Sequence, residues 1–130
     1  MYLPQLEFMG PVVGSRILVC GVGVEAVGFA MAGADVYGFD PRVDQVQAVK
    51  DLARSLGLRD RIHLQPMAVE QLAYPDEFFD LTLGKRIPEG CDVAALIKEL
   101  ARVLKPTGRA AFMIRSDHPA EPLVRRSFAA

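Results

Sequence analysis

Two glycines one residue apart, Gly21 and Gly23, stand directly after the apolar run Arg16–Cys20 (RILVC), and Asp40 closes a second strand-like run, ADVYGFD. Glycines at such a corner let a ligand reach the backbone, because a side chain would hold it off and the turn favours φ angles that other residues resist. The segment that follows, VEAVGFAMAG, reads as a helix whose first N–H groups lack partners, which suits a carboxylate or a phosphate. Asp40 is placed to accept hydrogen bonds from two ribose hydroxyls, and a carboxylate there selects a nucleoside with a free 2′-OH. Glu25 is the discordant residue. It stands at the helix start, where such a loop ordinarily carries something small. The helix dipole favours it there, but it competes for the amides that an anionic ligand group would use.

The elements that hold these residues follow from the hydrophobic pattern. Arg16–Cys20 shows no polar alternation, as expected of a strand covered on both faces. The helix after it is rich in small residues and closes at Gly33 in a left-handed cap. From Pro41 the apolar positions Val43, Val46, Val49, Leu52, Ala53 and Leu56 recur at helical spacing, with proline in the first turn and Gly57 as the stop. Residues 61–65 (RIHLQ) and 78–84 (FFDLTLG) read as a third and a fourth strand. Between them MAVEQLAYPDE has room for one helical turn before a Pro-Asp turn. Val93, Leu96, Ile97, Leu100, Val103 and Leu104 mark a third long helix, with Asp92 as its N-cap, ending at KPTG. Residues 109–115 (RAAFMIR) make the fifth strand. This alternation requires crossover connections, hence an α/β fold: a doubly wound parallel sheet with helices on both faces. In such a sheet ligands bind beyond the carboxyl ends of the strands, so a nucleoside-sized crevice is expected at the Gly21/Gly23 corner, with Asp40 pointing into it.

Composition bounds the partners. The chain of 130 residues has the length of one domain, and 51% of its residues are hydrophobic, enough for a single core. Fifteen basic and sixteen acidic side chains give a formal charge of −1, so no chain-wide field draws it to nucleic acid or to an anionic membrane. A small-molecule ligand is the expected partner. The N-terminus does not read as a signal peptide, no run is long enough for a membrane span, and Cys20 and Cys91 lack metal-ligand spacing. A cytoplasmic location is therefore expected, with no metal, and with Cys20 as a small buried hydrophobe. His63 reads as a packed or rim histidine and Met67 and Met113 as core filler; His118 reads as a solvated loop residue, with a reacting group at the end of the sheet as the alternative, and Lys85 and Arg86 as a solvated turn, with attraction of an acidic substrate as the alternative.

Three stretches carry a resemblance: RILVCGVGVEAVGFAMAGADVYGFDP, YPDEFFDLTLG and LIKELARVLKPTGRAAFMI. Together they resemble the class I S-adenosylmethionine-dependent methyltransferases, in particular the small-molecule branch, over roughly residues 15 to 116. The last stretch is the most specific, a helix ending in RVLKP-x-G before a buried strand. The resemblance implies a Rossmann-like sheet of order 3-2-1-4-5, and the division 1–15 N-terminal segment, 16–116 methyltransferase-like domain and 117–130 tail. The family continues with an antiparallel sixth and seventh strand, which the pattern up to residue 130 is not expected to supply. The tail, another copy of the chain or a partner chain is therefore expected to cover the fifth-strand edge.

The implied cofactor is S-adenosylmethionine, or its product S-adenosylhomocysteine, and the implied cofactor-binding residues are Gly21, Gly23, Glu25, Asp40, Ala68 and Gly84. Gly21 and Gly23 match the first two loop glycines, and Glu25 stands near the third. Asp40 matches the ribose-binding acid. Val19 stands where the family often has an acid supporting the methionine amino end, and Ala68 falls near the acid that accepts from the adenine amino group. The resemblance thus implies an intact ribose end and eroded methionine and adenine ends. No catalytic residue is identified. Two other readings stay open at this stage: a non-catalytic interaction or scaffold subunit with weak or lost cofactor binding, and an NAD-binding Rossmann domain, since GVGVEA also satisfies G-x-G-x-x-A.

Overall fold

The computed structural model describes residues 12–66, 72–87 and 90–112. Strand β1 (Arg16–Cys20) leads into helix α1 (Val24–Met31), β2 (Asp35–Phe39) and helix α2 (Val43–Ser55). A short 3-10 turn (Arg59–Arg61) opens β3 (Ile62–Gln65); β4 (Phe79–Gly84), helix α3 (Val93–Val103) and β5 (Leu104–Phe112) follow. The five strands are all parallel, in the order β3-β2-β1-β4-β5, as the resemblance implies.

Alternation along β1 divides the core in two. Ile17 and Val19 pack with Val27 and Phe29 of α1 and Val46 and Val49 of α2, while Leu18 and Cys20 face Leu96, Ile97 and Leu100 of α3. Helices therefore cover both faces of the sheet, which explains why β1 shows no polar residue after Arg16. Phe79 is fully buried and meets Tyr37, Tyr74 and Phe78 edge-on, at ring-centroid distances of 5.4, 5.2 and 5.1 Å.

The element ends repay comparison with the sequence pattern. Gly33 caps α1 at φ +99°, and Asp92 caps α3 by accepting from the Ala95 N–H at 3.1 Å, both as expected. Helix α2 starts later than its pattern suggests, leaving Pro41 outside. The reason is local: the Asp40 carboxylate takes the Arg42 N–H at 2.9 Å and holds residues 40–42 in a turn. The larger correction concerns α3 and β5. KPTG does not end the helix; α3 stops at Val103 and the chain enters β5 at once. The Arg102 and Val103 carbonyls accept from the Glu77 and Phe78 N–H groups at 3.0 and 2.8 Å, which draws the chain straight onto β4. Leu104 pairs with Phe79 and Arg109 with Leu81, so Lys105, Pro106, Thr107 and Gly108 form an irregularity within the strand. Residues 113–115 of the expected strand, the helical turn before Pro75 and the tail expected to cover β5 lie outside the described residues.

Candidate functional site

The carboxyl ends of β1, β2 and β4 meet at one corner. Gly21 turns out of β1 at φ +94°, its N–H donating to the Phe39 carbonyl at 3.1 Å. The chain after β4 crosses directly over it: the Lys85 and Arg86 N–H groups donate to the Cys20 carbonyl at 3.0 and 3.1 Å. A Cβ on Gly21 would lie 2.7 Å from Arg86 Cβ and 3.1 Å from its backbone nitrogen. Glycine is thus required twice, for its φ and for the close crossing. Gly21→Ala is expected to lower stability by about 2 kcal/mol or more, from the positive φ and the overlap together. Chemical denaturation measures it, and a loss below a few tenths would contradict the close crossing.

Asp40 is 2% exposed and faces the loop. Its Oδ2 accepts from the Val22 N–H at 2.9 Å, and the Arg42 guanidinium grips both oxygens, Nε to Oδ1 at 2.9 Å and Nη2 to Oδ2 at 2.6 Å. Burial alone would raise the Asp40 pKa, but hydrogen bonds from the Arg42 side chain, the Arg42 backbone and Val22 outweigh it and hold the carboxyl below its ordinary value. Asp80, which accepts from the Arg16 N–H and Lys105, and Glu99, paired with Arg102, are held low as well. A carboxyl depressed by folding stabilises the native state above its unfolded pKa, and that contribution is lost as pH falls through the folded value. The melting temperature should therefore stay level from neutral pH to about 5 and fall below about 4. Circular dichroism melts across that range provide the check, and Asp40→Asn should soften the fall.

Glu25, in the first turn of α1, reaches across to Lys85, the residue after β4, with Oε2 to Nζ at 2.6 Å. The pair lies against Gly23. A Cβ there would overlap Lys85 Nζ and stand 2.7 Å from Glu25 Oε2. Lys85 is therefore a paired, half-buried cation and not a solvated turn residue, whereas Arg86 is exposed. Gly84 closes β4 with the Phe112 ring lying where its Cβ would be. Gln45, which sequence reasoning did not single out, donates from Nε2 to the Val22 carbonyl at 3.1 Å and steadies the loop from α2. Arg42 was missed too, although FDPR signals it: an Asp two residues before an Arg invites the local fork seen here.

The corner thus brings together Gly21, Gly23, Glu25, Asp40 and Gly84, while Ala68, Met67, Met113 and His118 lie outside the described residues. At the corner where a crevice was expected stand two ion pairs of the protein's own side chains, Arg42 on Asp40 and Glu25–Lys85 against Gly23. An open hollow of about 540 Å³ lies elsewhere, between α2 and β3, lined by Lys50, Arg54, Arg59 and His63 among others. None of the corner residues lines it.

The remaining candidates are structural. Val19 is fully buried in the core. Burial, with smaller effects from Cys91 and Asp40, pushes the Cys20 thiol up to about 12, which leaves it inert. His63 is a rim histidine, bonded to Asp35 at 2.8 Å and stacked on Tyr37. Among the described residues no cluster of three or more His, Cys, Asp or Glu side chains could hold a metal ion, and no helix is long and apolar enough to cross a membrane.

A doubly wound parallel sheet of order β3-β2-β1-β4-β5, with a glycine corner after β1 and an acid after β2, defines a Rossmann-like domain. The chain belongs to the methyltransferase domain family, whose model matches residues 18–112. Over 107 residues it is 31% identical to the U6 snRNA (guanine-N(2))-methyltransferase THUMPD2 of Bos taurus, covering 77% of this chain and 21% of that protein. Over 94 residues it is 35% identical to the methyltransferase GfsG of Streptomyces halstedii, covering 71% of this chain and 34% of that one. Among solved structures it is similar to the [4+2]-cyclase SpnF, with a TM-score of 0.71, 30% identity, and coverage of 78% of this chain and 39% of that one. The chain therefore spans well under half the length of these three proteins.

Proposed function

We propose that this domain binds S-adenosylmethionine and S-adenosylhomocysteine at the corner of β1, β2 and β4 and takes part in methyl transfer to a small molecule. The observation that carries this reading is Asp40: a nearly buried carboxylate turned toward the loop after β1, held ionised by Val22 and by a guanidinium whose side chain is 40% exposed. Once Arg42 moves, both carboxylate oxygens can accept from ribose hydroxyls. The residues fit the cofactor on this count, since Gly21 and Gly23 allow close backbone approach and the first turn of α1 offers its N–H groups. On this reading Glu25 and Lys85 stand at the methionine end and Gly84 at the end of β4, while Ala68, which the resemblance matches to the adenine position, lies outside the described residues.

When bound, the sulfonium supplies an electrophilic methyl group. The protein's task is to hold the acceptor in line and exclude water, so methyl transfer does not require a strong base among these residues. The near-zero net charge supports a small acceptor over an RNA, although THUMPD2 is named for an RNA substrate.

A second reading, a domain that keeps the fold without the cofactor, draws support from the two internal ion pairs that already occupy the corner. SpnF adds that this fold serves a protein named for a cyclisation. Calorimetric titration with S-adenosylhomocysteine and S-adenosylmethionine separates the two. Dissociation constants of about 100 µM or below support cofactor binding, and the absence of heat up to millimolar ligand supports the scaffold.

A further inference from the structure

We infer that the hollow between α2 and β3 is a docking groove for an extended, acidic segment of a partner protein, which adds to the free edge of β3 as a further strand. The groove lies apart from the corner of β1, β2 and β4, so its test stands whether or not that corner binds a nucleoside.

The course of the hollow shows which part of β3 it reaches. Successive side chains of a strand point to opposite faces, yet all four residues of β3, Ile62 to Gln65, line the hollow. A groove that runs along the edge of the strand meets all four; one on either face does not. β3 is the outermost strand and pairs with β2 alone among the described strands. The Asp40 N–H donates to the Gln65 carbonyl at 3.3 Å, so the peptide groups of Gln65, and of His63 two residues before it, turn toward β2. Those of Ile62 and Leu64 therefore turn the other way, into the groove. The side chains of these two pack in one cluster with Val49 and Ala53 of α2, and the residues are only 9% and 3% exposed, so water reaches their peptide groups poorly. Backbone groups short of water need a partner, and an added strand brings a row of them.

The rim selects the partner. Its ionisable side chains are Lys50 and Arg54, one helical turn apart on α2, with Arg59 and His63, and no carboxylate stands among the described residues that line it. Arg54 is paired with Asp51 and His63 with Asp35, acids that do not line the groove, and neither does Asp60 beside Arg59. Lys50 and Arg59 are exposed and have no ion-pair partner among the described residues. Cations along an edge discourage pairing with a second copy, because RIHLQ carries no acid and would bring an identical rim against this one. A strand whose alternate side chains are carboxylates meets the same cations favourably, while its backbone answers Ile62 and Leu64. A nucleic acid would satisfy the cations and leave those peptide groups without a matching row. At about 3.3 Å per residue, β3 offers about 13 Å, enough to pair about four residues.

The probe is a capped hexapeptide that alternates glutamate and valine, titrated into the full chain while amide signals and hydrogen exchange at Ile62 and Leu64 are followed by NMR. Three comparisons accompany it: the same peptide with lysine for glutamate, the acidic peptide with its backbone nitrogens methylated, and an octauridylate. The acidic peptide is expected to slow exchange at Ile62 and Leu64 and to bind at least about tenfold more tightly than the lysine peptide or the methylated one. In the Lys50→Glu/Arg59→Glu double variant, with melts to verify folding, affinity for the acidic peptide should fall about tenfold and that for the lysine peptide should rise. If that variant fails to fold, the acidic and lysine peptides on the wild type carry the same comparison. Slow exchange at both amides before any peptide is added would mean that this chain or a second copy already covers the edge, and would overturn the proposal. Equal binding of the methylated peptide, tighter binding of the octauridylate, or no binding at millimolar acidic peptide would overturn it as well.

Discussion

Asp40→Ala is expected to weaken S-adenosylhomocysteine binding by about a hundredfold or more, the lower end of the value of two hydrogen bonds to a charged acceptor. It should also lower stability by about 2 kcal/mol, chiefly because the Val22 N–H loses its partner inside the protein. The Arg42 fork contributes less to that loss: its side chain is 40% exposed, and released guanidinium rehydrates. Asp40→Asn separates the two effects. The amide oxygen can still accept from Val22, so stability should recover in part, the amide NH2 being unable to accept from the Arg42 N–H, whereas the charge that strengthens contact with ribose hydroxyls is gone. Calorimetry and denaturant melts on the same preparations give both quantities. An Asp40→Ala protein that binds as tightly as the wild type would remove Asp40 from the site.

Phe79→Ala is expected to carry the largest stability loss, about 3 to 5 kcal/mol, which for a domain of this size is a large share of the total. The ring is fully buried on the α3 face of the sheet, among Tyr37, Tyr74 and Phe78. Its removal leaves a cavity between α3 and the sheet that the parallel strands cannot close. The loss has a functional side, because Phe79 opens β4 and β4 delivers Gly84 and Lys85 to the corner. A variant still folded at low temperature should therefore bind less S-adenosylhomocysteine in proportion to its unfolded fraction. Urea titration followed by circular dichroism measures the main effect, and a loss below about 1 kcal/mol would mean that α3 settles into the gap.

Much of the architecture was legible because its causes are local or periodic. RILVC reads as a doubly covered strand, the three- and four-residue spacing of α2 and α3 reads as helical, and Gly33 and Asp92 mark ends by their own backbone chemistry. The ends that were misplaced are those settled by partners distant in sequence. Helix α3 stops at Val103 because Glu77 and Phe78 claim its last carbonyls, and no pattern within RVLKPTG announces that. The start of α2 is the instructive exception: Asp40 displaces it through a contact two residues away, readable in FDPR but overshadowed by the familiar preference for proline in a first turn.

The sequence by itself determined the kind of sheet, the family, and the corner at which Gly21, Gly23 and Asp40 gather, since strand and helix periods dictate crossover connections and crossovers dictate where the strand ends meet. Only the tertiary structure decided what stands in that corner. Glu25 and Lys85 are unremarkable as single residues, and their pairing depends on β1 and β4 lying side by side so that a helix start and a strand end face each other across a glycine. Charge pairing across a sheet is a product of register and adjacency, and neither is written in the spacing of residues along the chain.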